Sequence, residues 1–149
     1  MSFAEDYKAA TEQFINLVGT LLETDLDRSD SEGWTPRQVI HHMADSEAQS
    51  YARLRRLIAE PGTTIQGYDE GLWAENPTLG YKDLNIKDSL EVIKAVRRSS
   101  YVLLTRLNEN QLNNSGVHTE TGNYTVHDWL KSYVNHPIDH ANQIKKQIS

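Results

Sequence analysis

Two histidines stand four residues apart late in the chain, His136 and His140 in the sequence NHPIDHANQI. Residues at this spacing lie on one face of an α-helix, so both imidazoles can bind a metal ion from the same side. A third imidazole is available upstream in the sequence HHMADSE, where His41 and His42 are adjacent. Three histidine ligands would leave coordination positions open for water or substrate, which is typical of a catalytic rather than a structural metal site.

The two upstream histidines cannot both face one site, because neighbouring residues of a helix point about 100° apart. Hydrophobic periodicity does not choose between them, since both flank the apolar stripe of their helix about equally. His136 and His140 lie at the border of the apolar stripe of theirs. Pocket-lining ligands are found at such a border, but so are surface side chains, so a pair of surface histidines without a metal is the alternative.

The composition excludes several other kinds of site. The 149 residues include no cysteine, so histidine and carboxylate are the strong metal ligands that remain. A net charge of −6 argues against nucleic-acid binding, which needs a basic surface. No apolar run approaches the length of a membrane span, and the N-terminal sequence MSFAEDYKAA does not resemble a signal peptide. We therefore expect a cytoplasmic protein with no membrane or nucleic-acid partner.

Four long helices are needed to position these side chains. Apolar residues spaced three and four apart predict them over residues 3–23, 35–59, 85–107 and 125–148. The second and fourth helices begin with capping boxes, formed by Thr35 with Gln38 and by Thr125 with Asp128. Pro137 lies inside the fourth helix, where it removes one backbone hydrogen bond and should kink the helix.

The connections predict how the helices are arranged. Residues 61–85 are rich in proline and glycine, with a short helix expected near 70–74, and are long enough to cross the length of a bundle. A loop is expected over residues 25–33, and a small hairpin is compatible with the sequence NNSGVHTETGN. We therefore predict an all-α fold, a four-helix bundle with up-down-down-up topology, in one domain over residues 1–149. The second helix would then be antiparallel to the fourth, which brings His42, His136 and His140 to similar heights.

Three stretches of the sequence, WTPRQVIHHMADSEAQSYARL, YDEGLWAE and NHPIDHANQI, resemble the DinB superfamily, and within it the YfiT-like metal-dependent hydrolases. The family's H-[LM]-A-D step falls on His42 rather than His41. Its late pattern, N-H-x-x-x-H-x-x-Q-I, falls on His136 and His140. The resemblance implies one divalent metal ion per chain, bound by His42, His136 and His140. Three imidazoles accept zinc, nickel, copper or iron, and of these we expect zinc or nickel.

The resemblance also implies the kind of activity. We expect a small-molecule enzyme, either a hydrolase or a transferase that uses a low-molecular-weight thiol. General-base candidates are Asp45, nearly one turn after His42, and Glu70 or Asp69 in the long connection. Each of these is more simply explained as a solvated or capping carboxylate. The alternative function is a non-catalytic dimeric module that binds metal or a small ligand, for instance in a stress response, and in either case we expect a homodimer.

The other conspicuous side chains are expected to be structural. Tyr68 and Trp73 could line a pocket, but they are more simply explained by packing of the long connection onto the bundle. His118 and His127 are expected to be loop and surface residues.

Overall fold

The structure, a computed structural model, describes residues 2–29 and 33–149. Its elements are α1 (Phe3–Gly19), a 3-10 turn (Glu23–Asp25), α2 (Pro36–Ala59), β1 (Thr64–Ile65), α3 (Glu70–Glu75), α4 (Lys87–Arg106), a second 3-10 turn (Gln111–Asn113), β2 (Ser115–His118), β3 (Gly122–Thr125) and α5 (Val126–Ile148). The four long helices α1, α2, α4 and α5 pack into a bundle, and the three strands form one small sheet. The predicted four-helix bundle is confirmed.

Helices α2 and α4 are neighbours that run in the same direction. His41 near the start of α2 contacts Ser89 near the start of α4, and Arg55 near the end of α2 contacts Ser99 further along α4. Parallel neighbours require a connection that returns along the bundle, and residues 60–86 supply it. The predicted crossover is therefore confirmed.

Helix α5 is antiparallel to α2. The indole of Trp129, near the start of α5, donates to the carbonyl of Ser50 in the second half of α2. Gln147, at the other end of α5, donates to the carbonyl of Trp34 just before α2. This arrangement gives the up-down-down-up topology and sets the middle of α5 beside the first half of α2.

Both predicted capping boxes are present. The Thr35 hydroxyl accepts from the Gln38 N–H at 3.2 Å, and the Gln38 amide oxygen accepts from the Thr35 N–H at 2.9 Å. Thr125 and Asp128 make the same two bonds at the start of α5. Each box satisfies two backbone donors that have no partner within the first turn of a helix. The boxes thereby define where the two histidine-bearing helices begin.

The first helix is shorter than predicted. It ends at Gly19 rather than at residue 23, because the backbone is already extended at Leu22, where φ is −84° and ψ is 156°. Asp25 then accepts the Leu22 N–H at 2.9 Å and closes a 3-10 turn. The predicted loop over residues 25–33 begins in this turn, and its residues 30–32 lie outside the described residues.

The crossover contains one element that the sequence analysis missed. The short helix expected there is present as α3, but β1 precedes it and pairs in parallel with β2, with Thr64 opposite Val117. The hairpin expected from the sequence NNSGVHTETGN is confirmed as β2 and β3. The result is a three-stranded sheet beside the end of α2, where Asn114 donates to the carbonyl of Leu57 at 3.2 Å.

The core consists of two apolar clusters, one around Trp129 and one around Met43. A buried charged pair, Glu47 on α2 and Arg97 on α4, lies between the two clusters along both helices. Within residues 2–29 and 33–149, no helix is both long enough and apolar enough to cross a membrane.

Candidate metal centre

Three imidazoles from two helices converge in the bundle. The Nε2 atom of His136 lies 3.2 Å from Nε2 of His42 and 2.9 Å from Nε2 of His140. One nitrogen from each of the three rings falls within 4.8 Å of the other two. His42 is only 1% exposed, and the two histidines of α5 are half-buried. The antiparallel packing of α2 and α5 thus brings together the three histidines that the sequence analysis selected.

His41 lies elsewhere. Its Nδ1 atom is 2.7 Å from the hydroxyl of Ser89, and its Nε2 atom is 2.9 Å from the carbonyl oxygen of Leu84. Because adjacent helical residues point about 100° apart, His41 faces α4 while His42 faces α5. His41 therefore joins the crossover and α4 to α2 and takes no part in the cluster.

Burial keeps the three clustered rings uncharged. Desolvation, with a contribution from nearby His140, lowers the pKa of His42 to about 4. Desolvation also lowers the pKa of His136, where the two neighbouring imidazoles add to the effect, and the pKa of His140. Neutral imidazole is the form that binds metal ions, so the cluster is already in the binding form at neutral pH.

A hydrogen bond orients the ring of His140. Its Nδ1 atom lies 2.7 Å from the side-chain oxygen of Gln143, one helical turn further along α5. With the amide oxygen facing the ring, Nδ1 carries the hydrogen and Nε2 presents its lone pair to the other histidines. Sequence analysis did not assign Gln143 this role, although its i+3 spacing from His140 was the available signal.

The three converging nitrogens cannot all be satisfied by protons. Since Nε2 of His140 carries a lone pair, at most one of the two short contacts made by His136 can have a proton of its own. In addition, among the described residues the buried Nδ1 atoms of His42 and His136 have no hydrogen-bond partner. A cation at the centre of the cluster would give each Nε2 lone pair a partner.

The cluster has an apolar side and an open side. The ring of Trp34 stands edge-on to His42 at a centroid distance of 5.0 Å, which closes one side. A cleft of about 270 Å³ reaches His136 from another side, and its wall includes Arg53, Tyr68 and Glu70. A small molecule in this cleft would therefore lie next to the histidines.

The three candidate carboxylates have different surroundings. Asp45 accepts a hydrogen bond of 2.5 Å from the hydroxyl of Tyr81. Asp69 caps α3 by accepting a backbone N–H at 3.0 Å, which is the structural role considered for it. Glu70 lines the cleft, and its pKa is raised by desolvation and by the nearby carboxylate of Glu120. Of the three, Glu70 is the one that lines the cleft together with His136.

Of the side chains that were expected to be structural, Tyr68 and His118 line the cleft. Tyr68 and Trp73 pack against each other with ring centroids 4.6 Å apart, and Tyr68 also lines the cleft. His127 is exposed, as expected. His118 was expected to be a loop or surface residue, and this is wrong. It lies in β2, where the strand alternation turns it inward to 9% exposure, and it lines the cleft.

Comparison with known proteins shows similarity over most of the chain. A model of the DinB superfamily matches residues 6–144. A protein from Oceanobacillus iheyensis, named for an inferred metal-dependent hydrolase activity, is 37% identical over 130 residues, which cover 87% of this chain and 74% of that protein.

Two solved structures share the fold. YfiT from Bacillus subtilis, described as a probable metal-dependent hydrolase with an unusual four-helix bundle topology, matches with a TM-score of 0.86 and 27% identity over 97% of this chain and 83% of its own. A mycothiol-dependent maleylpyruvate isomerase matches with a TM-score of 0.74 over 97% of this chain and 63% of its own. At 14% identity, that second likeness shows the fold alone.

Proposed function

We propose that this chain, which belongs to the DinB superfamily, is a metal-dependent hydrolase whose ion is bound by His42, His136 and His140. The observation that carries the proposal is the convergence of three uncharged imidazoles with Nε2 contacts of 3.2 and 2.9 Å. Two relatives, at 37% and 27% identity, are described as metal-dependent hydrolases, which supports the same proposal.

Two of the three nitrogen separations suit a tetrahedral ion, and the third, between His42 and His140, is no more than 4.8 Å. Zinc binds imidazole nitrogen at about 2.0–2.1 Å, and two tetrahedral ligands at that distance are about 3.3 Å apart. The contact between His42 and His136 is close to this value, and the contact between His136 and His140 needs to open by only a few tenths of an ångström. Imidazole is a good ligand for zinc and nickel, and we propose one such divalent ion per chain.

A divalent ion with an open coordination position would acidify bound water and polarise a substrate carbonyl. Both effects promote hydrolysis. We propose Glu70 as the general base, because it shares the cleft with His136 and because its raised pKa makes it a stronger base than an ordinary carboxylate. Asp45 is the second candidate, with its carboxylate oriented by Tyr81.

The cleft limits the substrate to a small molecule. Its volume of about 270 Å³ lies just below the range of about 300–1,000 Å³ typical of ligand pockets. Arg53 supplies a positive charge on its wall, with one guanidinium nitrogen held 2.7 Å from the carbonyl oxygen of Gln66. The same wall carries the carboxylates of Glu70 and Glu120, so a small ester or amide without a net negative charge would match this lining.

Metal analysis and a substrate screen test the proposal together. Protein purified without an affinity tag should contain about one divalent ion per chain, and the loaded protein should hydrolyse members of a panel of small esters and amides. Glu70→Gln should lower kcat by about 10²–10⁴-fold with unchanged metal content. Glu75→Gln, at the exposed end of the same short helix and outside the lining of this cleft, is the matched control and should keep most of the activity. Equal rates for the parent and for His140→Ala would overturn the proposal.

A thiol-dependent reaction is the second candidate function. The chain contains no cysteine, so the thiol would be an external small molecule, and the fold is shared with a mycothiol-dependent isomerase. The same panel should therefore include thiol adducts. Turnover only in the presence of a low-molecular-weight thiol would favour a transferase or isomerase, and metal binding without any turnover would favour the non-catalytic module.

A further inference from the structure

Pro137 lies between the two histidines of α5 and leaves a gap in the helical hydrogen-bond pattern. In an α-helix, the N–H of residue 137 would donate to the carbonyl of Tyr133, but proline has no N–H and its ring crowds that carbonyl. Helix α5 nevertheless runs unbroken through Pro137, which is itself buried. The carbonyl of Tyr133 therefore needs a different donor.

Arg97, on α4, supplies that donor. One of its terminal nitrogens, Nη2, donates to the carbonyl of Tyr133 at 2.8 Å. The side chain is only 1% exposed, so water does not compete for this bond. A side chain from another helix thus replaces the backbone bond that Pro137 removes, about one turn before His136 and two turns before His140.

The guanidinium of Arg97 also contacts Glu47, Thr11 and Tyr7, and Nη2 makes a second, longer hydrogen bond of 3.5 Å to the carbonyl of Tyr7. Its Nη1 atom lies 3.1 Å from both carboxylate oxygens of Glu47, and its Nε atom donates to the hydroxyl of Thr11 at 2.6 Å. Its plane also lies over the ring of Tyr7, 3.9 Å from the centroid. The planar fork of arginine therefore joins α1, α2 and α4 to one carbonyl of α5.

A buried ion pair of this kind calls for an explanation beyond stability. Desolvation of two charges offsets most of their attraction, and buried pairs replaced by well-packed apolar residues often leave a protein as stable or more so. Glu47 is fully buried, and the pair lies between the two apolar clusters, where apolar side chains would serve for packing alone. The contact that apolar side chains could not replace is the bond to Tyr133.

We propose that Arg97 is a positioning residue for the three-histidine site. By donating to the carbonyl of Tyr133, it holds the helical turn around Pro137 and so sets the ring of His136 relative to that of His140. This inference rests on the proposed metal-binding function of the cluster. It predicts that replacing Arg97 disturbs the arrangement of the histidines only while residue 137 is proline.

Three variants separate this role from general stability. Arg97→Lys keeps a positive charge beside Glu47 but lacks the planar fork that reaches Glu47 and Tyr133 together. Pro137→Ala restores a backbone N–H that can donate to Tyr133 in the ordinary helical manner. The double variant combines the two changes. Leu104→Ala, a cavity-forming change in the buried face of the same α4, is the control for lost stability alone.

Cobalt binding and imidazole NMR are the readouts. We expect Arg97→Lys to bind Co²⁺ about tenfold more weakly than the parent, with altered visible absorption bands, as for other residues that orient metal ligands. Pro137→Ala alone should bind nearly as the parent does, and in the double variant it should recover most of the lost affinity. Leu104→Ala should unfold more easily but keep the parental dissociation constant and spectrum.

The outcomes distinguish this inference from the proposed function. Parental cobalt binding by Arg97→Lys, or a double variant as weak as Arg97→Lys, would overturn the positioning role while leaving the metal site standing. If the parent binds no Co²⁺, the proposed function fails. The ¹⁵N signals of His136 and His140 in metal-free protein then decide the inference: they should shift in Arg97→Lys and return in the double variant, and unchanged signals would refute it.

Discussion

Replacing His42 by alanine should abolish most of the stabilisation that metal gives the protein. The change removes the one imidazole that α2 contributes to the cluster. The cluster then has two ligand nitrogens, both on α5, instead of three. A ligand that binds only the folded state stabilises it by an amount set by its concentration relative to its dissociation constant. The effect of the substitution is therefore read most clearly as a change in the metal-induced rise of Tm.

The size of the effect follows from these relations. Metal at 100 times its dissociation constant stabilises the folded state by about 2.7 kcal/mol. For a chain of this length, 1 kcal/mol corresponds to about 2–4 °C in Tm, so the parent should gain about 5–11 °C. If His42→Ala weakens binding about 100-fold, the same metal concentration leaves about 0.4 kcal/mol, a gain of only about 1 °C.

His41→Ala is the matched control, because it removes a buried imidazole from the adjacent position. It should lower the metal-free stability by about 1–3 kcal/mol, since His41 bonds to Ser89 and to the carbonyl of Leu84. Its metal-induced gain in Tm should nevertheless equal that of the parent. Calorimetry with and without zinc, supported by isothermal titration, measures both quantities. A full gain in His42→Ala together with none in His41→Ala would refute the reasoning.

Other predictions concern stability and assembly. Without metal, the free energy of unfolding should fall as the pH drops from about 6.5 to about 4, because in that range only the unfolded state protonates His42. Urea titrations in the presence of a chelator should show a shallower fall for His42→Ala, and equal slopes would contradict the lowered pKa of His42. Arg97→Met should lower the free energy of unfolding by about 3–5 kcal/mol, because it leaves Glu47 buried and unpaired. In urea unfolding, adding Glu47→Leu to this variant should restore much of that free energy, and no recovery would mean that the unpaired charge is not the cause. Light scattering at micromolar concentration should return twice the chain mass of 17.0 kDa, and a value of 17.0 kDa would exclude the expected homodimer.

Local signals in the sequence account for most of what could be predicted about the fold. The capping boxes at Thr35 and Thr125 act within four residues of chain, so they can be recognised without knowing any tertiary contact. The crossover follows from the length of the connection between α2 and α4. The first helix was predicted too long because apolar periodicity continues to Leu21, whereas the end of a helix depends on the backbone at the next few residues.

Long-range contacts account for what was missed. The two residues of β1 carry no strand signal of their own, and they become a strand because β2, more than 50 residues later, offers them an edge to pair with. The pairing of Glu47 with Arg97 was also missed, since charged residues are normally found on the surface and nothing in the local sequence marks these two as buried. The choice of His42 over His41 came from family resemblance, and the packing of α2 explains it physically.

The order in which the histidines are made has a consequence for how the cluster assembles in a cell. His42 precedes His136 by 94 residues. At a synthesis rate of about 5–20 residues per second, His42 is added to the growing chain about 5–19 seconds before His136. Helix α2 can form during that interval, but it carries only one of the three imidazoles of the cluster, and one imidazole alone is a weak ligand. Whatever the three histidines bind together is therefore captured only after α5 has been synthesised and has docked against α2.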